Sequence, residues 1–180
     1  CQMNMTINKT WAMPNKNTFK IKSFSNLIDR YNCRNLFNYK KDFVSIDPFA
    51  NENKLAIITN DLDTQYNTDY NLDALDFLKK MKSKSVDLVL YDPPYSPRQV
   101  AECYKKLGKT VNMETTQSSF WGNMKKEITR ITKKDSKVIS FGWNSNGIGK
   151  ENGFEQIELL LVAHGGNHND TICVVENKFK

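Results

Sequence analysis

The apolar run Val86–Tyr91 ends in Asp92-Pro93-Pro94-Tyr95, and no other junction constrains the chain as much. Proline cannot donate to a sheet ladder, so a strand through the apolar run must stop here. The residue before a proline is held extended, which carries the Asp92 side chain beyond the sheet edge. The carboxylate, the freed Pro93 carbonyl and the Tyr95 ring then face one small space. Two acceptors beside a flat ring suit a planar heterocycle that carries an exocyclic amine. A polyproline turn plugged by an aromatic ring accounts for the same four residues without chemistry.

Around this junction the chain alternates strand and helix patterns. Ser23 is placed to cap a helix whose apolar stripe is Phe24, Leu27, Ile28 and Tyr31. Residues 43–46 and 55–59 read as strands, and Leu72, Leu75, Leu78 and Met81 as a helix. Ser96-Pro97 opens a further helix with Val100, Cys103, Tyr104 and Leu107 on one face, stopped by Gly108. A helix over 119–133 turns Phe120, Met124, Ile128 and Ile131 inward, and strands follow at 137–142, 157–163 and 171–176. The last two strands are joined by Gly165-Gly166-Asn167-His168-Asn169-Asp170, a hairpin. The predicted fold class is therefore α/β: a Rossmann-like sheet, mostly parallel with a C-terminal antiparallel hairpin, and helices on both faces. Residues 1–180 read as one domain.

Composition narrows the classes of function. Apolar residues make up 39% and aromatic residues 11%, which favours a packed core over disorder. No apolar run reaches membrane-spanning length and the amino terminus lacks a signal-peptide pattern, so the expected setting is cytoplasmic, with no membrane partner. The chain begins at Cys1 without an initiator Met, which points to trimming. Cys1, Cys33, Cys103 and Cys173 are scattered, so neither a disulfide framework nor a zinc site is expected. His164 and His168 flank a glycine pair and read as part of the hairpin, so no metal is expected. Phe141-Gly142-Trp143-Asn144-Ser145 reads as strand end and turn, with a site wall as the second reading. The net charge of +6 gathers in two places: Arg98, Lys105, Lys106 and Lys109, then Lys125, Lys126, Arg130, Lys133 and Lys134. Both are expected to flank the site and either meet phosphates or form solvated helix faces.

Asp92-Pro93-Pro94-Tyr95 resembles the D/N/S-P-P-Y/F signature of S-adenosylmethionine-dependent methyltransferases that act on exocyclic amino groups. Aspartate in first place resembles the adenine-N6 DNA enzymes. Asp47-Pro48-Phe49-Ala50 resembles the D-P-F-x-G opening of their cofactor motif. Thr59-Asn60-Asp61-Leu62 falls where an acid accepts from the cofactor ribose, and Asp73-Ala74-Leu75 where one accepts from its adenine amine. Trp11-Ala12-Met13-Pro14 and Thr18-Phe19 resemble the N-terminal cofactor segment. Taken together the chain resembles a compact, phage-type DNA adenine methyltransferase.

The resemblance implies a methyltransferase sheet with the cofactor part mainly in residues 11–83 and the catalytic part in 84–180. It implies S-adenosylmethionine on Thr18, Phe19, Asp47, Pro48, Phe49, Ala50, Asn60, Asp61, Leu62, Asp73, Ala74 and Asp92, released as S-adenosylhomocysteine. Asp92, Pro93, Pro94 and Tyr95 would be catalytic, and Arg98, Lys105, Lys106 and Lys109 would meet DNA, in a bacterial or phage-infected cell.

Two departures stand out. Asn51 occupies the place of a glycine that lets backbone approach the cofactor, and the link from Asp47 to Leu55 is too short for a helical crossover. No insert is large enough for a target-recognition domain. Sequence choice must then come from residues 96–119, from a second subunit (its own copy or a partner), or be relaxed. Residues 109–119 carry few apolar anchors and are expected to order on DNA. Three other readings share these features. The same site could serve cytosine N4 or RNA adenine, and the missing glycine suits a non-catalytic nucleic-acid-binding subunit. A dinucleotide-binding oxidoreductase is disfavoured because no G-x-G-x-x-G occurs.

Overall fold

The computed structural model describes residues 4–32, 42–110 and 118–180. The strands are β1 (Thr6–Trp11), β2 (Ser45–Asp47), β3 (Ile58–Thr59), β4 (Val86–Tyr91), β5 (Thr132–Gly142), β6 (Phe154–Ala163) and β7 (Thr171–Lys178). The helices are α1 (Lys22–Tyr31), α2 (Ala74–Lys80), α3 (Pro97–Lys106) and α4 (Ser118–Ile131). The strands form one sheet in the order β1-β6-β7-β5-β4-β2-β3. Only β7 runs against the others, pairing antiparallel with both β5 and β6. This is the expected mostly parallel sheet with a C-terminal antiparallel pair.

Strand β4 shows why both faces must be covered. Its side chains alternate, and both sets are buried. Leu88 and Leu90 join the cluster holding Phe24, Leu27 and Ile28 of α1, where Phe24 meets the edge of Phe141 at 5.2 Å. Val89 and Tyr91 join the opposite cluster, with Phe77 and Leu78 of α2 and Met124, Ile128 and Ile131 of α4. Helices therefore cover both faces, as the sequence predicts.

Several expectations need correction. Ser23 does not cap α1. The cap position is Ile21, which makes no side-chain cap bond, and the Ser23 hydroxyl lies inside the helix, buried without a partner. The expected strand at 55–59 shrinks to Ile58–Thr59, and the link from β2 to it is a turn. Because β3 starts at Ile58 and not at Leu55, the connection is longer than the sequence suggests, and turns fill it in place of a helix. Strand β1 was not anticipated. All six of its residues are exposed, so it lacks the apolar alternation that marks a strand, and only its parallel pairing to β6 creates it.

Arg130 and Lys133 of the second basic cluster do not flank the site. Arg130 donates to the Leu78 and Met81 carbonyls, closing the end of α2. Lys133 pairs with Asp87 at 2.7 Å, near the start of β4. Asp92 lies beyond the other end of β4, about 17 Å away at a strand's usual rise. Residues 111–117 of the segment expected to order on DNA lie outside the described residues.

Packing of this kind predicts a sharp contrast in stability. Phe77→Ala empties a fully buried position and should cost about 3–5 kcal/mol. Ile7→Ala on the exposed face of β1 should change stability by less than about 0.5 kcal/mol. Urea denaturation followed by circular dichroism checks both, and equal losses would contradict the assignment of the core.

Candidate functional site

A cleft of about 560 Å³ opens at the carboxyl ends of β2, β3 and β4, within the usual span of small-molecule sites, about 300–1,000 Å³. Parallel strands deliver their following loops to one edge, which is why residues far apart in sequence meet here.

Proline stops β4 as expected, and the turn after it is cross-braced. The Tyr95 hydroxyl donates to Asp92 Oδ1 at 2.5 Å, and the Tyr95 backbone N–H donates to Gln99 Oε1 at 2.6 Å. The Trp121 indole N–H donates to the Pro94 carbonyl at 3.1 Å. Ser96 caps α3 by accepting from the Gln99 N–H, with Pro97 in the first turn. Among the described residues, no hydrogen bond engages the Pro93 carbonyl. Burial pushes the Asp92 carboxyl up to about 6, against the lowering effect of hydrogen bonds from Tyr95 and Thr18. Burial, together with the neighbouring Asp92 charge, drives the Tyr95 phenol upward.

The loop after β2 answers the question posed by Asn51. Its φ is +50°, in the left-handed region that favours glycine; asparagine is among the few other residues that tolerate it. The backbone N–H of Asn51 donates to Asp61 Oδ2 at 2.8 Å, so the turn reaches across to the loop after β3. Asn60 locks the two loops together. Its side chain donates to the Pro48 and Leu72 carbonyls and accepts from the Leu72 N–H. Asp61 also accepts from the Asp63 N–H, and burial raises its carboxyl. Asp73 caps α2 by accepting from the Leu75 N–H, and it also accepts from the Tyr104 hydroxyl. Its cap role and its place on the cleft wall coexist.

Of the residues picked from sequence, the cleft wall contains Thr18, Pro48, Phe49, Asp61, Leu62, Asp73, Ala74, Asp92, Pro93, Pro94 and Tyr95. Four others sit behind it. Phe19 packs against Phe141, Ala50 is fully buried, and Asn60 is the buried clamp. Asp47 is fully buried too; Oδ1 accepts from the Phe49 N–H while Oδ2 has no partner, and burial raises the carboxyl strongly. Lys106 lines the cleft and approaches Asp63 at 3.6 Å, and Arg98 is held by Glu102 at 2.8 Å. Lys105 and Lys109 are exposed. Tyr104, Phe120 and Gln99 are among the wall residues that the sequence reading does not pick as site residues. The first two belong to apolar helix stripes that read as core, and Gln99 carries no signal at all.

Charge on the wall is uneven. Asp61, Asp63, Asp73, Asp92 and Glu102 face only Lys16 and Lys106. Such a cleft attracts a cationic ligand and repels a phosphate.

Two predictions follow from this geometry. Asn51→Gly should be close to neutral, whereas Asn51→Val, forced into the same φ, should cost about 1–2 kcal/mol, as read from denaturation midpoints. The second concerns pH. A carboxyl raised from 3.8 to about 6 holds its proton more tightly in the folded state, so its contribution to stability falls as pH rises through that window. Asp92→Asn should therefore melt above wild type at pH 7, with the gap closing toward pH 4. A gap that does not close would remove the raised carboxyl from the account.

No protein-family model matches the chain, and no curated protein matches its sequence. Solved structures do match the fold. TrmN from Thermus thermophilus aligns with a TM-score of 0.56 over 88% of this chain at 14% identity, and this chain spans 49% of that protein. The N-methyltransferase NodS from Bradyrhizobium japonicum WM9 aligns with a TM-score of 0.55 over 93% of this chain and 100% of its own, at 9% identity. A putative methylase from Haemophilus influenzae aligns with a TM-score of 0.50 over 93% and 92% of the two chains, at 12% identity. At these identities the common property is the backbone arrangement, and the chain has the Rossmann-like methyltransferase fold.

Proposed function

We propose that the protein transfers a methyl group from S-adenosylmethionine to the N6 amino group of adenine in DNA, within a short or relaxed sequence context. The observation that carries this reading is the mouth formed at the end of β4. There the Asp92 carboxylate and the unengaged Pro93 carbonyl offer two acceptors beside the braced Tyr95 ring. The shared methyltransferase fold supports it, as does the acidic cleft.

The residues present fit the cofactor. Asp61 and Asp73 would accept from its ribose and its adenine amine. Phe49, Leu62 and Ala74 offer apolar wall, and Thr18 and Asp92 would face the methionine end. The excess of carboxylates suits a ligand bearing a sulfonium and an ammonium. When bound, S-adenosylmethionine supplies an electrophilic methyl group. The asparagine at φ +50° takes the backbone conformation that a glycine would serve, which weakens the case for a non-catalytic subunit.

The chain's own part is positional and electrostatic. Asp92 and the Pro93 carbonyl accept the two amine hydrogens and so fix the direction of the nitrogen lone pair. Well-oriented pairs reach effective molarities of order 10⁵ M or more. The Asp92 carboxylate opposes the positive charge that develops on nitrogen. With its carboxyl at about 6 it is also a better proton acceptor than an ordinary aspartate. Tyr95 holds Asp92 and offers a flat wall for the base. Extruding the base costs a few kcal/mol, and exposed Lys105 and Lys109 would meet phosphates.

Transfer of labelled methyl to unmethylated DNA, followed by nucleoside analysis, tests the reading. N6-methyladenine is expected; N4-methylcytosine, or transfer to RNA alone, would replace the acceptor. Asp92→Ala should nearly abolish transfer, and Tyr95→Ala should cost about 1–3 kcal/mol. Wild-type turnover should fall as pH drops below about 6, as Asp92 gains its proton. Tyr95→Phe removes a hydrogen bond that lowers this carboxyl, so its acid limb should move to higher pH. Lys105→Glu with Lys109→Glu should weaken DNA binding and flatten its salt dependence, and an unchanged slope would place the phosphates elsewhere.

A further inference from the structure

A second hollow, of about 330 Å³, lies beside the main cleft and shares Asn15, Tyr95, Gln99 and Thr171 with it. The two spaces differ in chemistry. The main cleft is acidic, whereas no Asp, Glu, Lys or Arg lines the second hollow. Its remaining wall is built from an indole, imidazoles, carboxamides and a proline.

Trp143 supplies the aromatic part. It follows β5, is 42% exposed, and its ring centre lies 5.6 Å from that of Tyr95 at an interplanar angle of 70°. The two rings make a corner, in which a flat ring stacked on one meets the edge of the other. Another part of the wall is the loop from β6 to β7, anchored at its base by buried His164. The Ala12 carbonyl can only accept, so His164 Nδ1 donates to it at 2.9 Å, and Nε2 is hydrogen-bonded to the Thr171 hydroxyl at 2.8 Å. Beyond this anchor Gly165 and Gly166 both have positive φ, turning the chain so that Asn167, His168 and Asn169 line the hollow. These side chains offer donors and acceptors without fixed charge.

We infer that this hollow is the acceptor subsite, taking a flat, uncharged heterocycle whose amino group reaches past Tyr95 to Asp92. The inference rests on the methyl-transfer reading above. Trp143 is its stacking wall, and the side chains at 167–169 meet the polar edge of the ring. Carboxamides pair naturally with the donor and acceptor edge of adenine. Neither space suits a phosphate, so the backbone of the acceptor stays outside, toward exposed Lys105 and Lys109. An acceptor of this form is an extruded nucleobase.

The test uses Trp143→Ala and Trp143→Phe in the full chain, with thermal melts confirming that both fold. A short oligodeoxyadenylate should quench tryptophan fluorescence in wild type, and most of that quench should vanish in Trp143→Phe. Trp143→Ala should raise the KM for DNA by about 10- to 100-fold, with Trp143→Phe restoring most of the loss. The Kd for S-adenosylhomocysteine by calorimetry should be unchanged in both variants. An unchanged KM in Trp143→Ala would overturn the subsite while leaving methyl transfer intact. Quenching by a glutamine-containing peptide and not by the oligonucleotide would overturn the nucleobase assignment. Wild type that binds S-adenosylhomocysteine and shows the quench, yet methylates no nucleic acid, would leave the subsite standing and overturn the methyl-transfer reading.

Discussion

Parallel strand direction is the constraint on which the rest of this protein depends. Because β2, β3, β4 and β5 run the same way, the ends after Asp47, Thr59, Tyr91 and Gly142 lie along one edge of the sheet. Each strand is stopped by residues that cannot continue it or that turn sharply. Those stops place Asp61 and Asp92 on one cleft wall, and Trp143 against Tyr95 in the hollow beside it, although they are far apart in sequence. The antiparallel strand β7 then carries the β6–β7 loop to the same end, anchored through His164. Site and second hollow are both products of that edge.

Gathering carboxylates there works against stability. Asp47, Asp61 and Asp92 all have raised carboxyls, with burial the leading cause in each. Their mutual proximity adds to the effect at Asp47. Burying charge without a counter-ion is unfavourable, and here it is only partly offset by backbone N–H groups of Phe49, Asn51 and Asp63. The stabilising burial comes from elsewhere, in the two apolar clusters on either side of β4. This division is the usual relation between a functional site and its scaffold.

Asn60 and Asn51 show how the loops are held without much secondary structure. One buried amide bonds to two carbonyls and one N–H, tying the segment before α2 to the turn after β2. One asparagine in a glycine-like conformation aims its N–H at Asp61. Local polar contacts take over the role of the helix that a longer crossover would have supplied between β2 and β3.

How much of this was legible in the sequence follows from the range of the forces involved. Strand β4 and its end were, because a run of apolar residues and two prolines act on their own neighbours. The cap Ser96 and the stop at Gly108 were legible for the same reason. Strand β1 was not, since its six exposed residues have no local preference to declare and are extended only because β6 bonds to them. Arg130 and Lys133 were misplaced because sequence gives the sign of a charge but not its direction. Arg130 and Lys133 turned out to serve the far end of β4. Tyr104 and Phe120 looked like core because an apolar stripe cannot say whether it faces a helix or a cavity. By itself the sequence determined which chemical groups stand at the strand ends, through proline geometry and apolar periodicity. Only the tertiary structure decided which of those groups share a wall, because distances between remote segments are set by sheet order and packing.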